Sequence, residues 1–102
     1  MKPVVLSDDA ISDLDNIFEW IADAADTTVA QAYVERLKSY CLSFALFPER
    51  GTLRPDLRTR LRTIGFRRQV TIAFTVRKND VLILRIARRG RDISTMFIAE
   101  ED

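Results

Sequence analysis

The sequence predicts an α+β domain with the order β-α-α-β-β-β, an antiparallel sheet with a helical hairpin packed on one face. In the first half of the chain, apolar residues recur at intervals of three and four, whereas in the second half they alternate with polar ones. A length of 102 residues is enough for one modest core. We therefore expect a single domain over residues 1–102, with a frayed acidic tail from about residue 99.

The first strand and helix are predicted from residues 3–25. Residues 3–6 (PVVL) are apolar and β-branched, and Pro3 favours a sheet edge because proline has no N–H donor. Ser7 is a suitable helix N-cap, and two aspartates follow it where the helix dipole favours negative charge. The helix is expected to run to about Ala25. Its apolar stripe comprises Ala10, Ile11, Leu14, Ile17, Phe18, Ile21, Ala22 and Ala25.

A second helix is predicted to end near Phe47, before Pro48. Residues 28–31 match a capping box, in which Gln31 would reach back to the N–H of Thr28. The short connection over residues 26–28 makes the two helices an antiparallel hairpin. The inward stripe of the second helix comprises Ala30, Tyr33, Val34, Leu37, Cys41, Phe44 and Ala45. The place of Cys41 on this stripe indicates a buried structural thiol.

The remaining elements are short strands. Residues 48–56 are rich in turn formers and are expected to form a loop. Strands follow at 61–66 and 70–76, and a tight turn at 78–80 makes the next strand antiparallel. That strand, 81–87, is almost continuously apolar, which is typical of a central strand covered on both faces.

The basic residues are concentrated in the second half. Of 16 lysines and arginines, 12 lie between Arg54 and Arg91, a span whose only acids are Asp56 and Asp80. The rest of the chain is acidic. This separation indicates a basic face, opposite the helices, that meets an acidic partner. The residues assigned to this target-binding face are Arg58, Arg60, Arg62, Arg67, Arg68, Arg85, Arg88, Arg89 and Arg91.

Arg85 has two interpretations. It interrupts the apolar run of the last strand, where a guanidinium is costly unless it is paired or opens onto a groove. The pattern therefore predicts either a structural ion pair or a place in a basic groove.

Several apolar and aromatic side chains are candidates for a protein partner. Trp20 and Tyr40 lie at the edges of the helical stripes, where either core packing or partner contact is expected. Met96, Phe97 and Ile98 belong to a short apolar segment that either closes the core or forms a partner-binding edge.

Composition excludes several classes of function. Without histidine there is no His-based zinc site, no Ser-His-Asp triad and no histidine acid–base chemistry. The three glycines form no phosphate-binding loop, and the single cysteine allows no disulfide within the chain. No apolar run approaches the roughly 20 residues that span a bilayer. We expect a cytoplasmic protein without a metal, a cofactor or a membrane partner.

The order and spacing of several segments resemble the ParE branch of the ParE/RelE toxin superfamily, the toxins of type II toxin–antitoxin pairs. The resemblance covers nearly the whole chain and implies the family's fold. It also implies a growth-inhibiting toxin that a ParD-like antitoxin neutralises in a hetero-oligomer. The segments are Ala10 to Ile17, Ala32-Tyr33 with Leu37, Pro48 to Gly51, Asp56 to Arg58 with Leu61-Arg62, Phe74 to Val76, Asp80 to Ile86 and Gly90 to Asp92.

Within the superfamily, ParE toxins act on DNA gyrase, whereas RelE toxins cut mRNA on the ribosome. The positions before Gly90, where many members carry histidine, hold Arg88 and Arg89, and Phe74 stands where a tyrosine is common. Arginine stays protonated at neutral pH and is a poor base. We therefore assign no catalytic residue and expect a non-enzymatic toxin whose basic face docks on gyrase, or on DNA that gyrase holds. The alternatives are an mRNA endonuclease and a non-catalytic basic binding module.

Overall fold

The computed structural model describes residues 1–98, and the tail expected at about 99–102 lies outside them. Two helices pack on one face of a five-stranded sheet, and a short third helix lies on the other face. No helix of residues 1–98 is both long and apolar enough to span a membrane. The elements are β1 (Val4–Leu6), α1 (Asp8–Ala24), α2 (Thr27–Leu42) with a 3-10 turn (Ser43–Ala45), β2 (Thr52–Leu53), β3 (Leu61–Phe66), β4 (Val70–Val76), β5 (Val81–Arg88) and α3 (Thr95–Ile98).

The sheet is mixed, with the strand order β1-β5-β4-β3-β2. The α+β class and the edge position of β1 are confirmed, but a purely antiparallel sheet is wrong, because β1 runs parallel to β5. Val4 pairs with Val81 and Leu6 with Ile83. Apolar alternation identifies a strand, but it does not fix the direction in which a strand pairs with one far away in the chain.

Residues 48–56 were expected to be a loop, but they contain β2. Thr52 and Leu53 pair antiparallel with Thr63 and Arg62. Two residues are too few for any alternation to show in the sequence. Gly51 precedes the strand at φ +74°, and a Cβ there would lie 2.4 Å from the carbonyl oxygen of Thr63. Only glycine fits this close approach to β3 without strain.

The helix caps agree with the sequence at α1 and differ at α2. The Ser7 hydroxyl accepts a hydrogen bond from the Ala10 N–H at 3.0 Å and donates one to the Leu84 carbonyl at 2.8 Å. At α2 the cap is Asp26, whose carboxylate accepts from the Val29 N–H at 2.8 Å. The capping box over residues 28–31 is therefore wrong, because a stronger cap two residues earlier starts the helix.

Apolar side chains fill both sides of the sheet. The main core lies between the helices and the sheet, and Cys41 is fully buried in it, which raises the pKa of its thiol to about 12. The predicted buried thiol is confirmed. On the opposite face, Leu61, Ala73 and Ala87 pack against Ile93 and Phe97. That face was expected to carry the arginines, but α3 and the segment leading to it cover part of it.

Asp13 joins α1 to β5. Two of its contacts are with the Arg85 guanidinium, whose Nε donates to Oδ2 at 2.9 Å and whose Nη2 donates to Oδ1 at 3.0 Å. The third comes from the backbone N–H of Ile86 at 2.8 Å. Asp13 is 6% exposed, and the hydrogen bond that it accepts raises the pKa of Arg85. Of the two interpretations of Arg85, this geometry is that of the structural ion pair.

We expect Arg85→Met to lower the free energy of unfolding by about 3 kcal/mol, because it leaves the buried Asp13 carboxylate without its cation. Adding Asp13→Asn should restore part of the loss, since the amide is uncharged and its oxygen still accepts from Ile86. Urea denaturation followed by circular dichroism measures both changes. Arg77→Met is the matched control, because Arg77 pairs with Asp80 at the surface. Equal losses for Arg85→Met and Arg77→Met would show that the buried pair is not a stabilising link.

Candidate basic binding groove

Several arginines of the basic span have acidic partners within the protein. Arg54 forms a two-pronged contact with Asp56, at 3.1 and 2.9 Å, and Arg77 forms one with Asp80. These hydrogen bonds lower the pKa of both aspartates. Together with the pair that Arg85 forms, they reduce the positive charge that the span presents to solvent.

The other predicted arginines form two groups, one at the start of β3 and one at its end, beside the end of β5. Arg58, Arg60 and Arg62 are at its start: Arg58 stacks over the Phe97 ring at 5.2 Å, and Arg62 donates to the Arg50 carbonyl at 3.3 Å. Arg67 and Arg68 follow its last residue. Because Val70 pairs with Arg88, the end of β5 lies beside this second group.

Two turns at this end of the sheet form a groove. The N–H of Arg89 donates to the carbonyl of Gln69 at 2.6 Å, which joins the turn after β5 to the turn before β4. We call the groove between them the basic groove, after its lining arginines Arg68, Arg88, Arg89 and Arg91. It encloses about 300 Å³ and is open to solvent. Its other lining residues are Gly65, Gln69, Val70, Thr71 and Gly90, so no acidic side chain of residues 1–98 lines it.

The local sequence fixes the arginines after β5. Gly90 adopts φ +93°, a conformation that allows the chain to turn, and the N–H of Arg91 then donates to the carbonyl of Arg88 at 3.0 Å. The Arg88 guanidinium stacks over the ring of Trp20 at 5.0 Å and donates to the carbonyl of Arg89 at 3.2 Å. Trp20 therefore holds one wall of the groove from α1.

The hairpin that carries Arg68 is strained. Arg67 and Arg68 have φ angles of +51° and +57°, and the N–H of Gln69 donates to the carbonyl of Phe66 at 3.1 Å. Two consecutive left-handed residues are what a type I′ turn needs, and Asn-Gly is the usual sequence for it. Residues with a side chain pay about 1–2 kcal/mol each for this conformation. The turn thus presents two arginines at a cost in stability.

The side chains predicted to contact an antitoxin are mostly engaged within the fold. Tyr40 packs against the rings of Phe44 and Phe66, with centroids at 5.3 and 5.1 Å. Phe97 is 3% exposed, and Met96 is half-buried beside it. Ile98 ends α3.

A group of exposed apolar side chains lies elsewhere, at the end of α2 and just after the 3-10 turn that follows it. Leu42, Leu46 and Phe47 are 56, 62 and 68% exposed, and we call them the apolar patch. A cleft of about 480 Å³ beside them is lined by Leu46, Phe47, Lys2 and Val76, among others. This patch was not predicted from the sequence. Its signal was that Leu42 and Leu46 fall outside the inward stripe of α2.

The chemistry available in the groove is binding. Guanidinium groups form paired hydrogen bonds with carboxylate and phosphate, but they stay protonated and do not accept a proton. Within residues 1–98 no three side chains of the types that ligate metals come together. The fold and the groove define a small α+β domain with an arginine-lined groove at one end of its sheet.

Known proteins identify the family of this domain. The family described as the ParE toxin of type II toxin–antitoxin systems, parDE, matches residues 4–93. Toxin ParE3 of Caulobacter vibrioides is 31% identical over 86 residues, which are 84% of this chain and 85% of that protein. The chain belongs to the ParE toxin family, as its sequence motifs indicated.

A solved structure supports the fold. The chromosomal ParDE toxin–antitoxin system from P. aeruginosa contains a chain that superimposes with a TM-score of 0.76 at 24% identity. The match covers 86% of this chain and 96% of that one. The predicted ParE/RelE-like fold is confirmed.

The strain in the hairpin can be measured. We expect Arg67→Asn with Arg68→Gly to raise the free energy of unfolding by about 1–2 kcal/mol, because both residues then tolerate the left-handed conformation. Urea denaturation measures the gain. Arg89→Gly is the matched control, since it also replaces an exposed arginine but at a residue without a positive φ. If the hairpin variant is no more stable than the control, the turn is not strained.

Proposed function

We propose that this ParE-family toxin inhibits DNA gyrase by binding, without catalysing a reaction itself, and that a ParD-like antitoxin neutralises it. Family membership supports the choice of target and partner. The observation that carries the mode of action is the basic groove, whose lining within residues 1–98 has four arginines and no carboxylate, histidine, lysine or tyrosine.

A nuclease would need a side chain that can take up a proton near the scissile phosphate. Neither tyrosine of the chain lines the groove. The Tyr33 hydroxyl is buried without a hydrogen-bond partner, and burial raises its pKa although nearby Arg67 lowers it in part. Tyr40 lies in the ring cluster of the main core. The groove residues therefore suit docking better than RNA cleavage.

The target-facing surface that we propose is narrower than the nine predicted arginines. It comprises Arg68, Arg88, Arg89 and Arg91 with the adjacent Arg67. Arg85 supports this surface from beneath, because its bond to Asp13 holds β5 against α1. A cluster of exposed positive charges increases the rate of association with an acidic partner and orients that partner.

The antitoxin is proposed to cover the apolar patch. Interface affinity comes mainly from a few buried apolar or aromatic anchors. Phe97 and Tyr40 pack within the fold, whereas Leu46 and Phe47 are exposed to solvent beside an open cleft. A partner that buries them would remove apolar surface from water, which favours association.

The gyrase proposal is tested by a supercoiling assay with the purified chain. We expect the unmodified protein to block supercoiling, and Arg88→Glu with Arg89→Glu to weaken that block by at least about tenfold, because two attractive charges become repulsive. Arg36→Glu with Lys78→Glu is the control: it changes the net charge equally at exposed residues outside the groove.

Equal inhibition by the folded groove variant and the control would show that the groove is not the target-binding surface. If the unmodified protein leaves gyrase unaffected but produces codon-positioned cuts in mRNA on translating ribosomes, the endonuclease alternative is correct.

The antitoxin surface is tested with Leu46→Glu. We expect this variant to bind the product of the neighbouring antitoxin gene at least about tenfold more weakly in calorimetry, since a charge at a buried anchor is poorly solvated. Ile11→Glu is the matched control, because Ile11 is exposed to a similar extent, 49%, but lies on α1. If Leu46→Glu binds the antitoxin with unchanged affinity and Met96→Glu binds it more weakly, the antitoxin contacts the α3 edge predicted from the sequence and not the apolar patch.

A further inference from the structure

We propose that the basic groove binds the phosphodiester backbone of DNA directly, so that the toxin engages the nucleic acid in the gyrase complex rather than acidic side chains of the enzyme. This inference rests on the proposed function and specifies the ligand of the groove. Four observations support it: the net positive charge of the lining, the neutral donors, the absence of apolar anchors, and the strained turn.

Among residues 1–98, the lining of the basic groove carries a net positive charge, and Asp13 lies next to it in an adjoining pocket that Arg88 and Arg91 also line. Four arginines line it, and none of its lining residues is acidic. The nearest acid along the chain, Asp92, accepts a hydrogen bond from the Ser94 N–H at 2.9 Å; hydrogen bonds from the Ser94 side chain and backbone, together with the charge of Arg54, lower its pKa. Asp13 is held by Arg85. The groove therefore keeps a positive potential suited to a polyanion.

The neutral groups of the groove also suit phosphates. Gln69 and Thr71 place an amide and a hydroxyl among the arginines. Such side chains, with arginine and backbone N–H groups, make most protein contacts to phosphate oxygens in DNA complexes. Gly65 and Gly90 add no side chain to the lining, which leaves room for a sugar–phosphate chain near the backbone.

A protein ligand fits this surface poorly. The centres of protein interfaces contain apolar and aromatic anchors in addition to arginine. The single apolar residue lining the groove, Val70, is 3% exposed and thus unavailable as an anchor. Exposed apolar side chains are grouped instead at the end of α2. The two surfaces therefore differ in chemistry, and the groove is the one that matches a nucleic-acid backbone.

The turn strain points in the same direction. Folding alone would favour Asn-Gly at residues 67–68, but the chain has arginine at both positions, each at positive φ. Arginine at a hairpin tip extends beyond the end of the sheet, where its fork matches two phosphate oxygens. Strain at a surface turn is expected where the side chains serve a ligand.

Binding is measured with the 102-residue chain and a short fluorescein-labelled DNA duplex, by anisotropy at salt concentrations from about 50 to 200 mM. Four phosphate contacts predict a slope of about −3 to −4 for log K against log salt. Arg68→Gln with Arg89→Gln should reduce the size of the slope by about 2 and the affinity by at least about tenfold. Arg36→Gln with Lys78→Gln, the equally charged control, should leave the slope within about 0.5 of the unmodified value.

Absence of duplex binding, or equal losses for the groove variant and the control, would overturn the inference. So would binding of an RNA duplex at least about tenfold tighter than the matched DNA, since the ligand would then be RNA. Binding that depends on base sequence would also contradict it, because backbone contacts carry no sequence information.

Two further assays separate this inference from the proposed function. Gyrase freed of nucleic acid is immobilised, and capture of the toxin is compared with and without added duplex. Groove-dependent capture without DNA would overturn the inference and leave the gyrase proposal standing. Duplex binding by a toxin that leaves supercoiling unchanged would support DNA as the ligand of the groove, but it would contradict the gyrase proposal and the placement of that DNA in the gyrase complex.

Discussion

The structure depends on the carboxylate of Asp13. It accepts hydrogen bonds from the Arg85 side chain and the Ile86 backbone, residues 72 and 73 positions away in the sequence. These bonds fix α1 across β5, and the rest of the binding end follows from that placement. With β5 held, the Arg88 guanidinium can stack on Trp20 of α1 and form one wall of the groove. A buried ion pair contributes specificity of arrangement here, because an alternative packing would leave the carboxylate unpaired.

Stability and the proposed binding role place opposite requirements on the end of the sheet that carries the basic groove. Four arginines near one another repel, and two residues of the hairpin are held in a left-handed conformation. The rest of the molecule offsets this, with apolar layers on both faces of the sheet and no strain of this kind in β4 or β5. Natural proteins commonly keep such local costs where a site needs them.

The spacing of apolar residues was sufficient to predict the helices and the longer strands. The 3.6-residue period predicted α1 and α2, alternation predicted β4, an almost continuous apolar run predicted β5, and Ser7 marked the start of α1. Contacts between distant residues have no such signal. Tertiary packing determines three such contacts: β1 pairs parallel with β5, Phe97 packs on the sheet face opposite α1 and α2, and Asp13 pairs with Arg85. For the same reason the arginines appeared as one face, although β3 separates them into two groups.

The parallel pairing of β1 with β5 also affects when the basic groove can form during synthesis of the chain. The first strand leaves the ribosome early, but its partner, Val81 to Ile83, is translated near the end of the described chain. Pairings of such high sequence separation form late and close slowly. The groove, which needs both Gln69 and the residues after β5, cannot be assembled on a nascent chain that stops short of Arg91. Formation of the groove therefore has to wait until nearly all of the described chain has been synthesised.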